Sequence, residues 1–223
     1  MNVEGVLFDL DGTLLDTAPD LGAALNYLLV KENLSTLPLE LIRPVASHGA
    51  KGLIDLGFGK NIDATFFAEL RQSLLDYYSA NICEHTNLFD GVAEILAELD
   101  AKHIPWGVVT NKPGWLTDPL LADFSEFSSA RCIISGDTLP VRKPDPAPLF
   151  HAAELLGVAA NSCIYVGDAE RDIEAGRRAG MTTMLAAYGY IAEHDTPETW
   201  QADISVSHPD ELSLWLLENL QGI

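Results

Sequence analysis

Basic side chains are scarce in this sequence: 13 Lys and Arg stand against 33 Asp and Glu, a formal charge of −20. A field of that sign repels nucleic acid and anionic lipid, and both are set aside as partners. Cysteine is scarcer still. Cys83, Cys132 and Cys163 form an odd set without CxxC or CxxH spacing. They are read as buried reduced thiols, not as zinc ligands or a disulfide staple. No apolar run reaches the ~18 residues that a spanning helix needs. Met1-Asn2-Val3-Glu4 has no basic stretch leading into an apolar one, so no secretory signal is expected and the cytoplasm is the expected compartment. Internal repeats and low-complexity tracts are missing too. Hydrophobic residues make up 48% and charged ones 21%, which argues against disorder. A chain of 223 residues supplies one substantial core plus a smaller accessory domain.

Short apolar runs punctuate the sequence. Val3 to Asp9, Ile104 to Thr110, Cys132 to Ser135, Cys163 to Val166 and Thr182 to Ala186 read as buried strands, and Ile204 to Ser207 as an edge strand. Helical patterns fall between them. Val92, Ile95, Leu96 and Leu99 follow the spacing of one helix face. Asp145-Pro146 reads as a helix start and Gly157 as the stop of that helix. Asp172 to Ala179, closed by Gly180, and Asp210 to Leu220 read as two more. Trp106 and Trp215 are assigned to the core. Strands alternating with helices predict an α/β fold: a Rossmann-like parallel sheet with helices on both faces. Residues 17–85 break the alternation. They carry helical periodicity at Leu21, Ala24, Leu25 and Leu28 and again over Phe66 to Tyr78, with no strand between. This segment reads as a helical insertion after the first strand.

Ligands of such folds bind beyond the carboxyl ends of the strands, and the chemistry-bearing residues gather there. Asp9-x-Asp11-Gly12-Thr13 ends the first strand. Residues two apart on an extended chain share a side, and two close carboxylates repel unless a cation or proton intervenes. A hard, oxygen-loving cation such as Mg²⁺ answers that need. Gly167-Asp168-x-x-x-Asp172 adds two carboxylates at another strand end. Thr110-Asn111 ends the second long strand, where hydroxyl and N–H groups can hold phosphoryl oxygens. Lys143, in Arg142-Lys143-Pro144, supplies a compact cation. In a chain so poor in positive charge, Lys112, Arg142, Lys143 and Arg171 stand beside these motifs, with Arg142 and Arg171 read as solvated surface residues. Each motif alone is weak; their order, each at a strand end or helix start, is not.

In these motifs the chain resembles the haloacid dehalogenase superfamily, over essentially its whole length. Asp9 to Asp16, Val109 to Pro113, Arg142 to Pro146 and Tyr188-Gly-Tyr190 are similar to the phosphoglycolate phosphatase branch. Ile42 to Gly49 and Trp200 to Asp203 are also similar to N-acetylmuramic acid 6-phosphate phosphatases. The resemblance implies a catalytic core at residues 1–16 and 86–223 and a helical cap domain at 17–85. It implies a Mg²⁺-dependent phosphomonoester hydrolase acting on a small phosphorylated metabolite. Asp9 would be the nucleophile that forms an aspartyl-phosphate, and Asp11 the acid and later the base. Mg²⁺ would be held by Asp9, the backbone carbonyl of Asp11, and Asp168, with Asp172 direct or through water. Thr110, Asn111 and Lys143 would hold the phosphoryl oxygens. The cap would read the leaving group around Arg43 to Lys51, with Arg43 and His48 as substrate contacts and Lys112 touching substrate or cap. Asp11 favours phosphoryl over dehalogenase chemistry, because a leaving halide needs no proton. Three other readings use similar residues: a phosphomutase of the β-phosphoglucomutase kind, a phosphorylated signalling receiver domain, and a catalytically inactive regulatory relative.

Overall fold

The computed structural model describes residues 3–219. The chain runs β1 (Gly5–Phe8), β2 (Leu15–Asp16), α1 (Ala18–Lys31), α2 (Leu39–Ile42), a 3-10 turn (Arg43–His48), α3 (Gly49–Phe58), α4 (Ala64–Ala80) and β3 (Asn87–Leu88). It continues through α5 (Val92–Ala101), β4 (Trp106–Val109), α6 (Gly114–Leu121), β5 (Cys132–Ile134), α7 (Ala147–Leu156), β6 (Cys163–Gly167), α8 (Glu170–Arg178), β7 (Thr182–Ala186), β8 (Ile204–Val206) and α9 (Pro209–Asn219).

Six strands form one sheet in the order β5-β4-β1-β6-β7-β8, with every neighbouring pair parallel. All four residues of β1 are buried, as a central strand covered on both faces requires. The two-residue period sorts its side chains. Val6 and Phe8, with Val108, Ile164 and Val166, pack on one face against Ile95, Leu96 and Leu99 of α5 and Leu212 of α9. Leu7, with Val109 and Tyr165, packs on the other against Leu149 and Ala153 of α7 and Ala175 of α8. The chain thus has the expected Rossmann-like α/β architecture. Trp106 is buried and Trp215 packs half-buried against the first face, as core residues. No described helix is long and apolar enough to cross a membrane.

Strand order reverses at β1, whose neighbours β4 and β6 lie to either side. The crevice beyond the carboxyl ends of these three strands is therefore the place where a ligand fits.

Element ends depart from the sequence reading by a residue or two. Pro146, not Asp145, precedes the first turn of α7. Asp145 instead accepts a hydrogen bond from the Ala147 N–H through Oδ1 at 2.9 Å. Gly157 ends α7 with φ +75°, a conformation that a side chain resists. α8 starts at Glu170, ahead of the expected Asp172. Leu220, the expected end of the last helix, lies outside the described residues.

Between β2 and β3 the chain is helical, and its apolar residues build their own cluster. Leu21, Leu25 and Leu28 of α1 meet Leu53 and Ile54 of α3 and Leu70, Leu74 and Tyr78 of α4. Asp63 caps α4 by accepting from the N–H groups of Thr65 and Phe66 at 2.9 and 3.0 Å. The strands on entry and exit pair antiparallel, Leu15 with Leu88 and Asp16 with Asn87. Buried Asp20 fastens this neck. It accepts from the N–H groups of His85 and Thr86 and from the Thr86 hydroxyl at 2.7–3.0 Å. Neither β2 nor β3 is visible in the sequence, since two residues carry no period. α6 has Pro119 in its interior, which hides it as well.

Candidate active site

The strand ends bring eight of the sequence-singled residues together. Asp9 follows β1, Thr110 to Lys112 follow β4, Asp168 follows β6, and Asp172 lies in the first turn of α8. Lys143 reaches the cluster from the loop between β5 and α7. Its Nζ lies 2.9 Å from Asp9 Oδ1 and 2.8 Å from Asp172 Oδ1. It also donates to the Val109 carbonyl at 2.8 Å and to the Tyr165 hydroxyl at 2.6 Å. No part of that side chain is exposed. A buried ammonium held by two carboxylates and two neutral oxygens is the paired arrangement that burial demands.

Asp9 is 2% exposed. Its Oδ1 also accepts the Leu10 N–H at 2.8 Å, while Oδ2 faces Arg171 at 4.0 Å. Burial and the nearby Asp172 charge push its pKa up to about 6, against the pull of Lys143 and Arg171. Asp168 is fully buried. Oδ2 accepts from the Ser47 hydroxyl at 2.6 Å and the Tyr190 N–H at 2.8 Å, and buried Oδ1 has no partner. Burial, Asp172 and Asp9 raise its pKa to about 8. Burial acts on Asp172 in the same direction, but Lys143 and Arg171 outweigh it and hold that carboxyl below the ordinary value.

Asp9, Asp168 and Asp172 each offer a ligand oxygen, all within 4.8 Å of one another. Lys143 and Arg171 leave one buried negative charge without a counterpart. An unpaired carboxylate oxygen, an all-oxygen donor set and uncompensated negative charge fit a hard divalent cation such as Mg²⁺. Gly12 keeps this space open: at φ +80°, a Cβ there would drive into the Asp168 carboxylate.

The Asp11 carboxylate turns away from the other three. It accepts from Thr17 Oγ1 at 2.7 Å and from Lys112 Nζ at 2.8 Å. Burial works to raise its pKa, but the charge and hydrogen bond of Lys112, with that of Thr17, hold it below the usual carboxylate range. Lys112 also donates to the Tyr78 hydroxyl of α4 at 2.9 Å, so one ammonium ties a strand end to the helical insertion. The Thr110 hydroxyl accepts from the Lys112 N–H at 3.1 Å. Asn111 donates its side-chain amide to the Lys143 carbonyl at 2.9 Å. That bond fixes the Lys143 loop and commits the amide expected at phosphoryl oxygens.

Over the strand ends lies a pocket of ≈ 190 Å³ walled by Ser47, His48, Arg171, Tyr190, Asp195 and Trp200 among others. His48 stands in it as expected. Arg43 does not line it: Nη1 pairs with Asp16 Oδ1 at 2.6 Å, and Tyr190 donates to the same oxygen at 2.9 Å. Arg142 is exposed, as expected. Arg171 corrects its sequence reading. It is drawn inward beside Asp9, and although burial disfavours its charge, Asp172, Asp9 and Asp168 raise its pKa. Its place next to Asp172 in the Gly167 motif was the available signal. Nothing in the sequence pointed to Ser47 or Tyr165. Their value lies in contacts made over 121 and 22 residues of separation.

The haloacid dehalogenase-like hydrolase family model matches residues 6–186. A phosphoglycolate phosphatase of Xanthomonas campestris pv. campestris (strain 8004) is 44% identical over 207 residues, 93% of each chain. An N-acetylmuramic acid 6-phosphate phosphatase of Pseudomonas putida (strain KT2440) is 41% identical over 212 residues, 95% of each chain. The crystal structure of a predicted phosphoglycolate phosphatase from Haemophilus somnus 129pt superposes with a TM-score of 0.80 at 28% identity, covering 96% of this chain and 98% of that one. The strand-end carboxylates, the buried lysine and these likenesses lead to one conclusion: the chain belongs to the haloacid dehalogenase-like hydrolases and stands among their phosphatases.

Proposed function

We propose that this phosphatase hydrolyses the phosphomonoester of a small carboxylate-bearing metabolite of the phosphoglycolate kind, in the cytoplasm, through an aspartyl-phosphate on Asp9. The observation that carries the reading is the Asp9 carboxylate, held by Lys143 at 2.9 Å with Arg171 facing its other oxygen. A carboxylate needs no base to activate it. Asp9 attacks phosphorus, the bond to the leaving oxygen breaks, and Asp11 gives that oxygen a proton. Water then attacks phosphorus, Asp11 takes its proton, and Asp9 is released with inorganic phosphate. The empty site holds Asp11 in the base form that the second step uses. Arrival of a phosphoryl dianion beside it raises its affinity for the proton that the first step needs.

Mg²⁺ held by Asp9, Asp168 and Asp172, with the Asp11 backbone carbonyl, would offset charge on the phosphoryl oxygens. Thr110 and Lys143 serve the same oxygens. Residues 1–16 and 86–223 act as the catalytic core. Residues 17–85 act as the cap, resting on the core through Lys112–Tyr78 and Ser47–Asp168 and excluding water when closed. Arg171 and His48 face the leaving group.

The pocket of ≈ 190 Å³ lies below the ~300 Å³ at which sites for larger ligands begin, which favours a two- or three-carbon leaving group. A second reading, N-acetylmuramic acid 6-phosphate as substrate, rests on the relative of that name at 41% identity. Phosphate release from 2-phosphoglycolate, N-acetylmuramic acid 6-phosphate and hexose phosphates, with Mg²⁺, decides between them. The proposal expects kcat/KM for 2-phosphoglycolate to stand at least about tenfold above the rest, or 1.4 kcal/mol. A sugar phosphate in first place overturns the small-substrate reading.

A further inference from the structure

A second group of ligating atoms lies apart from the carboxylate cluster. His48 ends the 3-10 turn ahead of α3. His194 and Asp195 lie between β7 and β8. Each of the three offers one ligand atom, and these atoms lie within 4.8 Å of one another. The two imidazole rings are tilted by 33° with centroids 5.9 Å apart. His48 Nε2 stands 4.0 Å from Asp195 Oδ1, too far for a hydrogen bond. Neither ring hydrogen-bonds to any described residue. Asp195 Oδ2, by contrast, accepts the Ala192 N–H at 2.8 Å. The carboxylate is thereby oriented from behind, as the outer shell of a metal site orients its ligands.

We infer that His48, His194 and Asp195 form a transition-metal site of the zinc class, linking the helical insertion to the segment after β7. Two imidazoles and one carboxylate suit Zn²⁺ and its neighbours, whereas Mg²⁺ takes oxygen ligands. Bonds of about 2.0–2.1 Å place tetrahedral ligand atoms roughly 3.3 Å apart, so the exposed rings close the gap by rotating about an ångström. Solvent completes the coordination. His48 and Asp195 also wall the pocket over the strand ends. An ion shared between them and His194 ties the two sides of the pocket rim together. It holds the pocket shut, slows exchange of substrate and product, and so inhibits turnover. Negative charge nearby, from Asp195 itself and from a chain at −20, favours any cation at this rim.

The test titrates Zn²⁺ into the full-length protein kept in excess Mg²⁺, by competition with a chromophoric chelator, with Co²⁺ spectra as a second readout. Wild type is compared with His194→Ala and Asp168→Asn. His194 does not line the pocket, so its variant retains the Mg²⁺-dependent activity. The inference expects one tight Zn²⁺ equivalent in wild type and Asp168→Asn. It expects at least about tenfold weaker binding in His194→Ala and loss of the visible Co²⁺ band of a nitrogen-ligated ion. Zn²⁺ should inhibit wild type at the concentration that fills the site and spare His194→Ala. Equal binding by His194→Ala, loss of binding in Asp168→Asn instead, or no Zn²⁺ uptake by wild type each overturn the inference. Metal uptake is measured without turnover, so the phosphatase proposal stands or falls separately.

Discussion

The two ends of the pocket are built on opposite plans. At the strand ends, Asp9, Lys143, Asp168 and Asp172 are at most 2% exposed, and each ionised group is held by charge or hydrogen bonds. At the rim, His48 and His194 are exposed and lack hydrogen bonds, and Asp195 is half-buried. The deep end is fixed before any ligand arrives, as electrostatic catalysis requires. The outer end is left free to rearrange, as substrate choice and closure require. Rigidity and burial here follow the phosphoryl group; exposure follows the leaving group.

Substitutions separate the two ends by size of effect. Asp9→Asn should reduce kcat by on the order of 10⁴–10⁶-fold while leaving the circular dichroism spectrum intact. Asp11→Asn should cost about 10²–10⁴-fold with alkyl phosphates. The loss should shrink sharply with p-nitrophenyl phosphate, whose leaving group needs no proton; an equal loss on both substrates would remove Asp11 from the acid role. Arg171→Ala should lower kcat/KM by about 10–100-fold, since a charged hydrogen bond is worth roughly 1.5–3 kcal/mol. Asp168→Asn should raise the Tm of metal-free protein, by about 1 kcal/mol of stability, because it removes the uncompensated buried charge. It should also abolish the Tm rise on adding Mg²⁺. Arg43→Ala should change kcat/KM by no more than about twofold, or ~0.4 kcal/mol. Its guanidinium is engaged with Asp16 and is about one-third exposed, where ion pairs contribute little.

The same contrast governs what could be read from the sequence. Asp9, Thr110, Lys143 and Asp168 were visible because strand ends position them, and apolar runs betray strand ends. The sheet was visible for the same reason. Arg171 was misread as a surface residue because its neighbours on the chain say nothing of Asp9, which lies across β6 and β1. Asp20, Ser47 and Tyr165 were invisible: each acts through a partner distant in sequence. Arg43 and Asn111 were seen, but their side chains are engaged by Asp16 and the Lys143 carbonyl, contacts that no spacing rule predicts. The rim cluster joins residues 146 positions apart, and a lone His48 in a helical segment carries no such information.

The most direct test of the central claim is acid quench of the Mg²⁺-loaded protein during turnover, with peptide mass spectrometry of the product. The account predicts one phosphoryl group, on Asp9, absent without substrate and absent in Asp9→Asn. A phosphoryl group on any other side chain, or full activity from Asp9→Asn, would contradict it.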